Sequence, residues 1–264
     1  MAVKNLKVAI VPLDIHKDDK ILNLQQADER LSAIEPGTDL VVLPELFTTG
    51  FRQDSDALMA AAETNTGHTI QNLTDWARRG GFAVWGSFLA RTGSSLYNRG
   101  FMIEPSGEEV FYDKAHLFSM GGEDKLLRRG ADKSPVVRYR GWNLRMAICY
   151  DLRFPVWLRN KGLEYDALIV PANWPDKRAF PWKQLLTARA IENQCYVLGA
   201  NRVGTDEYGE YPLEMSVAFD HWGRETGERR PDGTVYVTLE ADRLGNDRQR
   251  FAPWRDADDF ELKD

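Results

Sequence analysis

The apolar residues of this chain come in short runs, each too short to be a buried helix, and the first of these runs alternate with stretches of helical periodicity. Residues 7–12 (KVAIVP), 39–43 (DLVVL) and 82–88 (FAVWGSF) read as buried strands, while 20–34 and 70–79 place apolar residues along one face of a helix. This is the βαβ rhythm of an α/β protein. The middle of the chain changes character. Residues 97–103, 109–113, 135–139 and 142–148 read as consecutive strands with turns at 105–107 and 140–141, which predicts antiparallel pairing. A helix-like stretch follows Pro155. After it come a buried strand at 166–171, a helix at 182–193 and strands at 196–200, 216–220 and 234–240. With no repeat, low-complexity tract or linker, one mixed-sheet domain over 1–264 is the economical reading, its sheets packed face to face with helices outside.

Composition narrows the class. Of 264 residues, 43% are hydrophobic and 28% charged, enough apolar material for a sizeable core and too much for a disordered chain. The formal net charge of −6 argues against nucleic acid or an anionic membrane as partner, while leaving room for a local basic pocket. No apolar run approaches the ~20 residues needed to span a bilayer, and residues 1–20 show neither a long apolar segment nor a small-residue cleavage site. The two cysteines, Cys149 and Cys195, form no disulfide framework and no CxxC metal spacing. A reducing cytoplasm is the expected compartment, and there a single reactive thiol survives.

Three strand ends carry groups with chemical potential. In VVLPE a buried strand runs into Glu45, and desolvation there would raise a carboxyl toward the range of a general base. In FYDKAHLF, Lys114 ends a strand among aromatics, where a desolvated cation suits a developing oxyanion. In LRMAICYDLRFP a strand stops at Cys149 and turns into a helix, whose first N–H groups favour a thiolate. This resembles the serine nucleophile elbow without its glycines. Each feature alone has an ordinary explanation: a loop carboxylate, a surface lysine, an inert cysteine. Cys195, between a helix and an apolar strand, fits the inert description. His116 reads as a hydrogen-bonded structural group, and no histidine is placed to pair with either thiol.

The order Glu, Lys, Cys, each at a strand end, changes the weighting. In LPELFTTGF (43–51), YDKAHLF (112–118), ICYDLRFPVWLRN (148–160), ANWPDKR (172–178) and TARAIENQCYVLGANRVG (187–204), the chain resembles the nitrilase superfamily, carbon–nitrogen hydrolases with a Glu-Lys-Cys triad, and within it the omega-amidase branch. The resemblance covers almost the whole length and implies a four-layer α-β-β-α sandwich. It implies Cys149 as nucleophile, Glu45 as general base and Lys114 as stabiliser of the tetrahedral intermediate, together with the backbone N–H of Tyr150. A second glutamate matches Glu123, with Asp124 as the competing position. Arg153 reads first as structural, pairing with carboxylates near the corner. Asn173 and Trp174, just past a strand, are candidates to line the pocket, and Arg178 and Arg202 to meet an anionic end of the substrate.

The implied reaction releases ammonia from a small amide through a thioester on Cys149, with no metal or organic cofactor. Omega-amidase chemistry would act on 2-oxoglutaramate or 2-oxosuccinamate. Nitrile or N-carbamoyl amide hydrolysis with the same triad is the alternative, and a silent binding protein on this fold is the rival of another class. Relatives also imply a dimer or higher even oligomer. The apolar residues Phe154, Val156, Trp157, Leu158, Trp182, Leu185 and Leu186 would serve a core or an interface, and the tail from about 245 to 264 reads as an arm reaching a partner. One departure stands out. Where the family usually shows Tyr, Gly, a polar residue and Ser in close succession, this chain has Tyr211-Pro212-Leu213-Glu214-Met215-Ser216, without the glycine.

Overall fold

The computed structural model describes residues 3–17, 19–52, 54–131 and 133–262. Its strands in chain order are β1 (Leu6–Ile10), β2 (Leu40–Val42), β3 (Ala83–Thr92), β4 (Ser95–Ile103), β5 (Glu109–Asp113), β6 (Val136–Tyr139), β7 (Trp142–Met146) and β8 (Ala167–Ala172). They continue with β9 (Tyr196–Asn201), β10 (Gly204–Asp206), β11 (Gly209–Tyr211), β12 (Val217–Phe219), β13 (Glu225–Thr226), β14 (Glu228–Arg229) and β15 (Val235–Leu239). The helices are α1 (Lys20–Ser32), α2 (Ser55–Ala61), α3 (His68–Gly80), α4 (Glu123–Leu126), α5 (Ala179–Asn193) and α6 (Ala241–Arg250).

Two mixed sheets result. One has seven strands in the order β14-β15-β1-β2-β3-β4-β5, the other six in the order β13-β12-β9-β8-β7-β6. Within the two sheets the parallel strand pairs described are those of β1-β2-β3 and β7-β8-β9, the segments joined by crossovers. The alternation of side chains along each strand builds the layers. From β1 and β2, Leu6, Val8, Ile10, Leu40 and Val42 point to a core between the sheets, where they meet Leu144, Met146, Ile169 and Leu198 of the second sheet. The intervening Ala9 and Val41 point the other way, toward Ala27 and Leu31 of α1 and Leu73 and Trp76 of α3. Leu168, Val170 and Val197 likewise turn outward onto Trp182 and Leu186 of α5. The order of layers is therefore α-β-β-α. Gly100 on β4 lets the sheets approach at one point, since a Cβ there would lie 2.4 Å from Met146 Sδ.

The helices start and stop where their chemistry directs. Asp19 accepts the Leu22 N–H at 2.9 Å to cap α1, and α3 ends on Gly81 in the left-handed conformation, φ 69°. Two expectations need correction, and one left open is settled. Residues 109–113 and 135–139 do not pair: β5 is the last strand of the first sheet and β6 the edge of the second, and the chain between them crosses from sheet to sheet carrying Lys114 and Glu123. No α-helix follows Pro155. Cys149–Arg153 is one short 3₁₀ helix, and Phe154, held at φ −110° and ψ 88°, is in the non-helical conformation expected of a residue before proline. Leu158, Trp182 and Leu186 are fully buried in the core and free for no interface. The helix α6 has no apolar stripe to announce it. It is held by Leu244 and by Arg248, which pairs with Asp166 at 2.6 Å and donates to the Gln194 and Tyr165 carbonyls.

Candidate active site

Four chain segments leave the sheets at one end of the sandwich. Glu45 lies just past β2 and Lys114 just past β5, both of the first sheet; Cys149 lies just past β7 and Asn173 just past β8, both of the second. The carboxyl ends of strands are where open α/β sheets leave room for ligands. Glu45, Lys114 and Glu123 are all buried. Lys114 Nζ lies 2.8 Å from Glu45 Oε1 and 2.9 Å from Glu123 Oε2. Asn98 Nδ2 bridges the two carboxylates, donating to Glu45 Oε1 at 2.7 Å and to Glu123 Oε1 at 3.1 Å. The Phe118 N–H donates to Glu123 Oε2 at 2.7 Å. Asn173 completes the set, its N–H on Glu45 Oε2 at 2.8 Å and its side-chain amide on the Glu45 carbonyl at 2.9 Å.

Burial works against the Lys114 ammonium, yet Glu123 and then Glu45 outweigh it and hold its pKa well above the ordinary lysine range. Lys114 is therefore a fixed cation between two carboxylates. Of the two acidic positions, Glu123 reaches Lys114 while Asp124 faces solvent.

Cys149 sits at φ 45°, in the left-handed region, a conformation that costs a non-glycine residue about 1–2 kcal/mol. Asp151 maintains the corner. It is fully buried; its Oδ2 accepts the Ile148 N–H and the Tyr112 hydroxyl, each at 3.0 Å, and its Oδ1 accepts the His116 N–H at 3.0 Å. His116 Nδ1 adds a contact at 2.8 Å, and its ring stacks on Phe154. The elbow of one sheet is thus tied to the segment that carries Lys114 in the other. The Cys149 thiol is pushed well above the usual thiol range, by burial first and then by the Glu45 carboxylate that also hydrogen-bonds it, against the pull of Lys114. The expected thiolate-favouring effect of the N–H groups after Cys149 is overridden. Tyr150 lies in the first turn of the 3₁₀ helix, where N–H groups lack intrahelical acceptors.

Above this floor the cavity walls include Phe51, Phe118, Trp174, Tyr208 and Tyr211. Arg178 lines it with its guanidinium over the Phe118 ring. Arg153, expected to pair with carboxylates, instead lies over the Trp174 ring, lines the cavity and has no ion-pair partner among the described residues. Arg202 does the reverse of what was expected. It is buried and turned to Asp206 at 2.8 Å, to Asp14 at 3.6 Å and to the Ile15 carbonyl at 2.8 Å, outside the cavity lining. Of the atypical stretch 211–216, Tyr211 alone lines the cavity; Ser216 exchanges hydrogen bonds with the Asn201 backbone in the core. Cys195 is wholly buried and its thiol is pushed up to about 12 by burial.

Asn98, Asp151 and Tyr112 went unremarked in the sequence. Asn98 left a trace, as an amide on the face of β4 that otherwise carries Leu96, Gly100 and Met102. Asp151 left none, because beyond the Ile148 N–H its partners come from residues 112 and 116. Among the described residues no cluster of His, Cys, Asp and Glu has the makings of a metal site, and no helix is long and apolar enough to cross a membrane.

Comparison with known proteins bears on this geometry. The chain is similar to omega-amidase YafV of Yersinia enterocolitica, 38% identical over 98% of this chain and 100% of that one. It is similar to the 2-oxoglutaramate amidase of Bacillus subtilis, 33% identical over 88% of this chain and 90% of that one. Among solved structures, a CN-hydrolase superfamily protein of Xanthomonas campestris, with an arsenic adduct in its active site, superposes with a TM-score of 0.91 at 35% identity, covering 98% of this chain and 100% of that one. The family model for carbon-nitrogen hydrolases matches residues 7–249, and with that span and those relatives the chain belongs to the carbon–nitrogen hydrolase family.

Proposed function

We propose that this chain is an omega-amidase, releasing ammonia from the terminal amide of a small carboxylic acid such as 2-oxoglutaramate or 2-oxosuccinamate. The observation that carries the reading is the buried cluster of Glu45, Lys114 and Glu123 against the Cys149 thiol, in a cavity whose outer wall holds Arg153 and Arg178. The floor supplies a base and a fixed cation for an amide carbonyl, and the wall supplies two guanidiniums for a carboxylate. The names of the relatives point the same way.

In the proposed reaction Glu45 takes the thiol proton as sulfur attacks the carbonyl carbon. The Lys114 ammonium and the Tyr150 N–H stabilise the oxyanion; such donors in a dry site matter by about 3 kcal/mol each. Glu45 returns the proton to the departing nitrogen, ammonia leaves and a thioester remains. Glu45 then draws a proton from water as it attacks, and the acid and free thiol are restored. Glu123 takes no proton in this scheme. Its charge holds the ammonium in place. Asn173 and Trp174 shape the substrate side of the cavity. A panel of 2-oxo acid amides, nitriles and N-carbamoyl amino acids tests the reading. Ammonia from the amides alone is the expected result, and nitrile or carbamoyl turnover in its place would favour the alternative chemistry. Inertness toward all three would favour a binding protein.

Lys114→Ala should lower kcat far more than it raises KM, because the interaction lost belongs to the transition state. It also leaves Glu45 and Glu123 buried without their cation, so a stability loss of about 3 kcal/mol should appear in urea unfolding. Equal effects on kcat and KM, or an unchanged urea midpoint, would contradict this role.

We further propose that 1–264 acts as one domain, in a reducing cytoplasm, and as a dimer or higher even oligomer. Ile191 on α5, Trp222 and Phe251 are each more than a third exposed. Trp222 stacks on Phe251, and Gln194 donates to the Phe251 carbonyl at 2.9 Å. A contiguous apolar group of this kind on an outer face suits a protein partner. The tail folds back on its own chain at Lys161, which binds Asp259 and the Phe260 carbonyl, and offers the exposed Phe251 ring to a partner. Light scattering at micromolar concentration should give at least twice the 30.1 kDa chain mass; a monomer would overturn the proposal.

A further inference from the structure

The ribbon β10–β11 belongs to neither main sheet, pairing only with itself from Gly204↔Tyr211 to Asp206↔Gly209. It is nonetheless firmly seated. Asp206 accepts the Tyr208 N–H at 2.8 Å, the Tyr211 hydroxyl at 3.1 Å and Arg202 Nη1 at 2.8 Å. Arg202, itself buried, lies over the Tyr211 ring and reaches the Ile15 carbonyl. Gly204 adopts φ 94° and packs so closely on Asp14 that a Cβ would lie 2.0 Å from Oδ1. The effect is to hold Tyr208 against the cavity. Its ring lies 5.9 Å from that of Phe51, which arrives from the segment after Glu45, and both residues line the cavity. Lys17 adds a cation 5.4 Å from the Tyr208 ring centre and an ion pair with Glu207.

Burial grades the lining. Glu45, Lys114 and Glu123 are closed off from solvent, whereas Phe51 and Tyr208 are half-buried. The aromatic pair lines the same cavity as Cys149, on its solvent-reached part and away from the buried carboxylates and lysine. From this we infer that Tyr208, with Phe51 behind it, is the specificity-determining stop of the cavity: it limits the length of acyl chain whose amide reaches Cys149. The inference rests on the amidase reading. Phe51 presents only ring carbons and Tyr208 a ring bearing a single hydroxyl, so the added methylenes of a longer chain meet bulk there. One methylene in such a pocket commonly changes kcat/KM by about tenfold or more.

The test measures kcat/KM for ammonia release from the monoamides of succinic, glutaric, adipic and pimelic acid. The wild type should favour the short members. Tyr208→Ala should raise the ratio of adipic to succinic monoamide at least tenfold, and Phe51→Ala should shift it in the same direction. Tyr208→Phe keeps the ring and should keep the wild-type ratio. Because Tyr208 is only half-buried, folding of each variant is checked by circular dichroism before kinetics. An active wild type whose Tyr208→Ala and Phe51→Ala variants keep its length profile overturns the inference alone. A wild type inactive on all four monoamides and on the 2-oxo acid amides overturns the amidase reading and this inference with it.

Discussion

Cys149→Ala should reduce ammonia release from an amide substrate to the uncatalysed background, a loss on the order of 10⁴-fold or more, as for other covalent nucleophiles. The substitution removes the sulfur that Glu45 acts on, and Cys195, the other thiol, is sealed in the core against α5 with its pKa pushed up to about 12. Cys149→Ser should fare little better. A hydroxyl is far less acidic than even this burdened thiol, and Glu45 is a weak base for it. Neither variant should unfold the protein, since the elbow is held by the Asp151 side chain and its hydrogen bonds to Ile148, Tyr112 and His116. Mass spectrometry of wild-type enzyme mixed with a good amide and quenched early should find an acyl group on the peptide containing Cys149. An adduct on Cys195, or normal turnover by Cys149→Ala, would remove the foundation of the proposed mechanism.

Glu45→Gln should separate two properties that usually move together. Turnover should fall on the order of 10³-fold, because one carboxylate is asked to serve in both half-reactions. The thiol should meanwhile become easier to ionise. After burial, the Glu45 charge is the main influence holding the Cys149 pKa up, and Lys114 opposes it. With the charge gone, the thiolate loses an adjacent anion and keeps the cation, so its pKa moves down. The pH profile of Cys149 alkylation by a small neutral reagent should therefore shift to lower pH in a variant that hydrolyses almost nothing. An upward shift would mean that Glu45 does not act on the thiol electrostatically. Unchanged hydrolysis would mean that it is not the base.

What the sequence disclosed and what it withheld divide along a physical line. The inter-sheet core was legible because Leu6, Val8, Ile10, Leu144 and Met146 repeat at the period of a strand. Glu45, Lys114 and Cys149 were legible because each ends such a run. Arg153 and Arg202 were misjudged for a shared reason. A guanidinium that follows a strand finds its partner by the path of the folded chain, and here Asp206 on a later ribbon claims Arg202 while no carboxylate among the described residues pairs with Arg153. The stretch after Pro155 reads as helical, but it forms turns and a second short 3₁₀ helix at Lys161–Leu163. Asp151, Asn98 and the β10–β11 ribbon depend on contacts between segments far apart in sequence, which neither periodicity nor spacing records.

Glu45 and Lys114 are anchored to one sheet, and Cys149 and Asn173 to the other. Neither half of the molecule carries the whole proposed set. The seam between the sheets, where Gly100 admits Met146, is the clasp that brings its two parts together. Gly100 lies two residues from Asn98 and Met146 three from Cys149, so a substitution that parts the seam would shift the proposed nucleophile against its proposed base without altering any residue that lines the cavity.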